Sequence, residues 1–287
     1  MELTGRSLLG VGILAATAAL SLICSVGSRS ATAPEAADEL ASHRAIYELT
    51  LAHARGNSPV AARGRILYDF SGNACDGYAL QFRQVSELDN GEGKVTLSDL
   101  RSTTWEDGAA RKFVYKSQNF LDEKLIESVE GQAERQQDKL TVTLVKPADR
   151  TFELDRLTAF PTDHMRRIIE AARAEKRILE VPLYDGSEKG DRIFSTLSVI
   201  GRPIRPDEHP PNDAAAGEPT LAALKRWPVT VSYFDKAAAT GDQTPVYAIS
   251  FELYENGVSR ALMLEYNDFS ISGKLTSIEF KDHKPCR

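Results

Sequence analysis

Apolar and polar residues alternate along most of this chain. The alternation runs through Tyr47/Leu49/Leu51, Tyr78/Leu80/Phe82 and Leu140/Val142/Leu144. It returns in Val229/Val231/Tyr233, Tyr247/Ile249/Phe251/Leu253, Leu262/Leu264/Tyr266 and Thr276/Ile278/Phe280. Successive side chains of a strand point to opposite faces, so this period marks strands with one buried and one wet face. Turn signals lie between the runs: Asp89-Asn90-Gly91, Asp107-Gly108, Asp185-Gly186 and Asn256-Gly257. Asn and Gly tolerate the positive φ of a type I′ turn, so residues 246–255 and 258–266 are predicted to form a hairpin. Many strands joined by short turns predict a mainly β fold, a long antiparallel meander curled into a barrel or a strongly twisted sheet.

One segment changes period. Residues 162–177 (TDHMRRIIEAARAEKR) place Met165, Ile168, Ile169 and Ala172 on one face of a helix, with arginines and Glu170 opposite. Thr162 is the expected cap, Asp163 suits the positive end, and Arg173, Lys176 and Arg177 suit the negative end. A lone amphipathic helix in a β protein covers one mouth or face of the sheet, so its apolar stripe reads as core. A membrane-binding role is the lesser alternative. Residues 202–219 (RPIRPDEHPPNDAAAGEP) hold five prolines and read as a long, exposed loop in which mobility is expected.

The N-terminus carries Arg6, then the uncharged apolar run Leu8 to Val26, then Ser28-Arg29-Ser30-Ala31-Thr32-Ala33. This is the order of a secretory signal peptide, predicted to span residues 1–33 and leave one domain at 34–287. Cleavage follows Ala33 by the A-x-A pattern, or falls at Ser30 because Pro34 is unfavourable. The run is also just long enough for a retained anchor, which stays as the alternative. Ile23 before Cys24 argues against a lipoprotein.

Export alters the reading of charge and of cysteine. Losing Arg6, Arg29 and Glu2 from totals of 35 basic and 41 acidic side chains leaves a mature chain net acidic by about seven. No basic block exists, so nucleic acid is not an expected partner. Cys24 leaves with the signal, and Cys75 and Cys286 remain. Two thiols in an oxidising compartment suggest one disulfide, with two free thiols as the bland alternative. By the chain-entropy model, closing so long a loop is worth roughly 5 kcal/mol.

The search for chemistry is largely negative. No G-x-S-x-G, H-E-x-x-H, P-loop or G-x-G-x-x-G is present. His43, His53, His164, His209 and His283 are scattered, and neither cysteine has a CxxC or HxxxH neighbour. His164 follows Asp163, but adjacent helical residues point about 100° apart, which disfavours a dyad. Asp185, Glu188 and Asp191 (YDGSEKGD) resemble a loose cation loop without EF-hand spacing, so a solvated turn is the better reading. Trp105 and Trp227 are the two tryptophans. An apolar concave face could take up an acyl chain or a peptide, yet the same residues serve equally well as ordinary core.

Four stretches carry a resemblance. They are GRILYDFSGNACDGYALQFRQ around Cys75, FPTDHMRRIIEAARA in the helix, YDGSEKGDRIFSTLSVIG after it, and YAISFELYENGVSRALMLEYNDFSISGKLTSIEF before Cys286. On these the chain resembles the EipB-like family of cell envelope integrity proteins across nearly all of residues 40–287. Residues 205–219 match no motif of that family and read as a variable insertion. The resemblance implies a periplasmic, non-enzymatic protein of a Gram-negative cell. It implies an antiparallel sheet wound as an open spiral or half-barrel, one covering α-helix, and a disulfide between Cys75 and Cys286. It offers no catalytic residues, no metal and no cofactor. The expected partner is an envelope protein or a lipid-bearing molecule, bound by a monomer. A carrier of a lipid or lipoprotein acyl chain is the first alternative. A hydrolase acting on envelope polymer is the second, and it would need two carboxyls roughly 5–10 Å apart across a cleft.

Overall fold

The computed structural model describes residues 39–55, 59–236, 244–282 and 286. The expected signal segment, 1–33, lies outside them. Fourteen strands form one antiparallel sheet. The first eight are β1 (His43–Ala54), β2 (Ala61–Asn73), β3 (Gly77–Asp89), β4 (Val95–Glu106), β5 (Lys112–Leu121), β6 (Lys124–Arg135), β7 (Lys139–Lys146) and β8 (Arg150–Asp155). Helix α1 (Pro161–Arg173) follows. The remaining six are β9 (Ile178–Leu183), β10 (Phe194–Ile200), β11 (Arg226–Asp235), β12 (Tyr247–Tyr254), β13 (Ser259–Glu265) and β14 (Phe269–Phe280). A 3-10 turn (Ala214–Gly217) and a one-turn helix α2 (Pro219–Ala222) lie between β10 and β11.

The spatial order is β8-β7-β6-β5-β4-β3-β2-β1-β14-β13-β12-β11-β10-β9. The first and last strands pair at the centre, and the two strands flanking α1 become the edges. Among the described residues no ladder pairs β8 with β9; the segment after β8 touches β9 through a parallel bridge between Ala159 and Leu183. The sheet is therefore an open spiral. Its curvature brings β3 opposite β13, so that Gln84 and the Tyr266 phenol interact across the concave side.

Alternation, interrupted at a few β-bulges, gives the strands an inner face. On β1 the buried residues are His43, Ala45, Tyr47 and Leu49, with exposed Arg44 and Glu48 between them. Two helical pieces cover the concave side. The α1 stripe of Ile168, Ile169, Ala171 and Ala172 packs on Phe70, Tyr78, Trp227, Val229 and Leu253. Fully burying one such aliphatic side chain stabilises by about 1.5–3 kcal/mol. Trp227 is thus ordinary core, and Trp105 lies against Gly77.

Three local expectations are corrected. The helix begins at Pro161, with Phe160 rather than Thr162 at the cap position, and ends at Arg173 instead of 177. The Asn256-Gly257 turn does join β12 to β13, but Gly257 alone has positive φ (87°). A type I′ turn needs two such residues, so the hairpin closes instead through Gly257 N–H to the Tyr254 carbonyl and Tyr254 N–H to that of Val258.

The proline-rich stretch is fastened, not free. Arg260 donates to Asp213 Oδ2 (2.8 Å) and Asn212 Oδ1 (3.2 Å), and also pairs with Glu252. Arg226 pairs with the same Glu252 carboxylate (2.5 Å) and donates to the His209 carbonyl (2.5 Å). Both guanidinium groups are almost fully buried. Ala215 and Leu221 follow this latch into the cluster of Tyr47, Tyr254, Val258 and Leu275. They fill the region where β13, paired with β14 only from Leu262 to Glu265, parts from it.

Candidate functional site

Antiparallel connectivity gives the spiral two ends. One carries α1, the β2–β3 turn and the chain segment after β14. At that end Asn73 Oδ1 accepts the backbone N–H groups of Cys75 and Asp76, both at 2.8 Å. This Asx turn presents Cys75 outward. The Sγ atoms of Cys75 and Cys286 stand 2.07 Å apart, a bonding distance, with Cα atoms at 5.5 Å. Lys281 adds a second fastening: its N–H donates to the Ser42 carbonyl (2.9 Å) and its ammonium pairs with Asp69, as does Arg44.

Glu106, at the end of β4, was not singled out by sequence reasoning. Its carboxylate accepts the N–H groups of Thr162 (2.7 Å) and Asp163 (2.8 Å), so it caps α1 from a distant strand. Burial pushes its pKa up to about 7, against the opposing pull of those two donors. Arg166 completes the junction by donating to the Gly108 carbonyl at 2.6 Å. The signal was present as Glu106-Asp107-Gly108, but it reads as a solvated turn unless the helix is known to sit above it.

His164 and Asp163 point apart, as helical geometry requires. Asp163 pairs with Arg167 (2.7 Å), whereas His164 turns inward, its Nε2 3.1 Å from Thr196 Oγ1. Burial lowers its pKa to about 4, so the ring is neutral and serves the packing.

The Asp185–Asp191 loop is a solvated turn in part: Glu188, Lys189 and Asp191 are exposed, whereas Gly186 and Gly190 are buried. It enters the concave side of β5–β7, where Tyr184 is fully buried, its hydroxyl 2.5 Å from that of Tyr115 and donating to the Gly190 carbonyl (2.6 Å). Gly186 (φ 69°) lies flat on the Tyr115 ring, and Gly190 (φ 77°) meets Val129 and Leu144; a Cβ at either would stand 2.5–2.7 Å from those side chains. Asp185 accepts from Ser187 N–H (2.9 Å), and burial raises its pKa. Asp191 reaches Arg150 (2.7 Å) and Glu188 reaches Arg192 (2.9 Å). The three acids thus have separate uses, and no cluster of metal-ligating side chains occurs among the described residues.

The opposite end is different in kind. Seven of the eleven most exposed large apolar side chains among the described residues gather there: Val60, Val95, Leu121, Leu125, Ile126, Val145 and Tyr266, each 39–56 % exposed. They sit on successive hairpin tips, where charged residues are usual. Behind this rim the concave side is not sealed, for Tyr68, Phe82, Phe251 and Leu264 remain only partly buried. The alternation of β3–β5 puts Gln84, Ser86, Ser98, Ser102, Ser117 and Asn119 on that same inner face. Asn119 Oδ1 is buried there without a hydrogen-bond partner. The lining is therefore mixed, with amides and hydroxyls set beside Phe82 and Leu100 on the same inner face.

Fold and site together define an open antiparallel β-spiral whose helix end is fastened by buried polar junctions, and whose apolar groups surface at the other end. Comparison with known proteins gives that class a name. A profile of the EipB-like family matches residues 34–282. The chain is 36 % identical over 273 residues to the cell envelope integrity protein EipB of Brucella abortus (strain 2308), covering 95 % of each. It superposes with a TM-score of 0.79 on the crystal structure of a beta-barrel-like protein of a domain of unknown function from Brucella abortus, at 36 % identity, covering 85 % of this chain and 99 % of that one. The chain belongs to the EipB-like family. Among the described residues no helix is long and apolar enough to cross a membrane.

Proposed function

We propose that this protein is a non-enzymatic periplasmic factor that supports cell-envelope integrity by binding a partner through the open end of its spiral. The observation that carries the reading is the ring of exposed aliphatic side chains on the β3–β4 and β5–β6 tips and their neighbours, at the end opposite α1. Apolar patches of this sort mark interaction sites more often than they mark idle surface. The name of the Brucella abortus relative supplies the process, and the export pattern of residues 1–33 supplies the compartment.

The mixed lining favours a protein segment over a bare acyl chain. A hydrocarbon tail would leave Gln84, Ser86 and Asn119 desolvated without compensation, whereas a peptide offers backbone partners. An acyl carrier predicts instead that lipid co-purifies, which native mass spectrometry reads directly.

The test is complementation. A deletion strain is expected to become sensitive to detergents and to cell-wall antibiotics, and the wild-type gene to restore resistance. A Leu125→Asp/Ile126→Asp variant, exposed and outside every hydrogen-bond junction described above, is expected to fold normally and fail to restore it. Full rescue by that variant would remove the open end as the binding surface. An insensitive deletion strain would remove the envelope role itself.

A further inference from the structure

At the far end of α1 the structure assigns a second, separate site: a pocket for a small phosphate-type anion. A cavity of about 240 Å³ opens between the C-terminus of α1, the segment after β10 and the start of β11. Four cations line it, Arg173, Lys176, Arg177 and Lys225, against the single acid Glu175, over a floor that includes Trp227. Arg173 is committed, since it donates to the Glu255 carbonyl at 3.2 Å. Among the described residues, the side chains of Lys176, Arg177 and Lys225 have no hydrogen-bond or ion-pair partner. Most arginines among the described residues, by contrast, pair with a carboxylate, as at Asp69, Asp99, Asp107, Asp191, Glu208 and Glu252.

The ordinary reason for cations at a helix C-terminus is to serve its unpaired carbonyls. At α1 three of the last four carbonyls are already used by backbone donors. Ala174 N–H donates to the Glu170 carbonyl, Glu175 N–H to that of Ala172, and Lys176 N–H to that of Ala171. The last two bonds make a Schellman motif whose left-handed position, normally glycine, holds Glu175 at φ 57°. This bend turns the chain from α1 into β9 and sets Lys176 and Arg177 on the pocket wall. Lys225 arrives independently, fixed by its backbone N–H to Glu255 Oε1 (3.2 Å). Three unpaired cations from two distant segments thus share one concavity, and each would gain a charge-assisted hydrogen bond from a tetrahedral oxyanion. A soluble phosphomonoester and a phospholipid headgroup present the same group. The site lies at the opposite end from the partner-binding rim, so neither proposal depends on the other.

The experiment uses the mature protein and the Lys176→Ala/Arg177→Ala/Lys225→Ala variant, whose side chains are exposed and unbonded, so its unfolding midpoint is expected to match wild type. Inorganic phosphate is titrated at low salt, with Trp227 fluorescence and phosphorus NMR line width as readouts. Wild type is expected to bind, with the triple variant weaker by at least about tenfold and the affinity falling as salt rises. In parallel, co-sedimentation with phosphatidylglycerol vesicles is compared with phosphatidylcholine vesicles. Variant-sensitive binding of free phosphate alone assigns a soluble ester, and variant-sensitive capture by the anionic vesicles assigns a lipid headgroup. Equal binding by wild type and variant in both arms, or none in either, overturns the site.

Discussion

Glu106 and Thr162 are separated by 56 positions in the chain, yet the carboxylate of one accepts the backbone N–H of the other at 2.7 Å. The helix therefore has no cap of its own; a strand lends it one. Replacing Glu106 by Ala leaves two buried N–H donors unmet. The expected loss is about 2–3 kcal/mol, or a drop of roughly 4–10 °C in the unfolding midpoint for a domain of this size. Thr162→Ala removes the hydrogen bond from the Thr162 hydroxyl to Glu106 but keeps both backbone bonds, so its expected loss is smaller, about 1 kcal/mol. Differential scanning calorimetry of the two variants separates the roles.

Acid should weaken the fold through His164. Its pKa falls from 6.5 to about 4 on folding because the charged ring would be buried. Stability is then full above pH 6.5 and declines as the pH drops from there toward 4, since only the unfolded chain binds the proton. The expected decline across that window is on the order of 3 kcal/mol. Glu106 acts in the reverse sense, since its raised pKa costs stability as the pH climbs from 4.5 through about 7. Denaturant midpoints measured between pH 4 and 7 should flatten at the acid side in His164→Gln. An unchanged slope would assign the acid sensitivity to another group.

Removing Arg260 should release the proline-rich segment. Arg260→Ala strands the buried Asp213 carboxylate and leaves Glu252 to Arg226 alone, a loss of about 3–5 kcal/mol when one partner of a buried pair is deleted. Limited proteolysis is the readout: cleavage within 205–219 is expected to be slow in wild type and rapid in the variant. Equally slow cleavage in both would mean that the packing of Ala215 and Leu221 holds the segment without the latch.

Cys75→Ser should lower the unfolding midpoint by several degrees or more, because a cross-link spanning 211 positions removes roughly 5 kcal/mol of unfolded-chain entropy at most. Reductant should lower the wild-type midpoint toward that of the variant and leave the variant unmoved. A wild-type midpoint indifferent to reductant would show that the thiols are free in solution.

The alternation at Tyr47/Leu49 or Val229/Val231 was enough to read the strands, because burial of one face is a local constraint. The α1 stripe was legible for the same reason, and the pairing of Cys75 with Cys286 was implied by the family resemblance. What stayed hidden depends on pairs of distant residues. Asp213 in a proline-rich run looks like solvent until Arg260 is placed beside it. Gly186 and Gly190 look like turn residues until Tyr115 and Leu144 are seen to leave them no room for a Cβ. The gathering of Lys176, Arg177 and Lys225 around one cavity was missed likewise, since Lys176 and Arg177 suit a helix terminus and Lys225 comes from a distant segment.

The pairing of β1 with β14, His43 against Phe280, has a consequence for how the molecule is made. The central seam of the sheet joins the earliest and latest segments of the chain, so no amount of synthesis short of the C-terminus completes it. Until then β1 has β2 on one side and an open row of backbone donors and acceptors on the other, an invitation to mispairing. Contacts of such sequence separation also slow folding. The hairpins within β1–β8 and within β9–β14 are local and need no such wait, so the seam is where two meanders, each assembled from neighbouring segments, finally become one sheet.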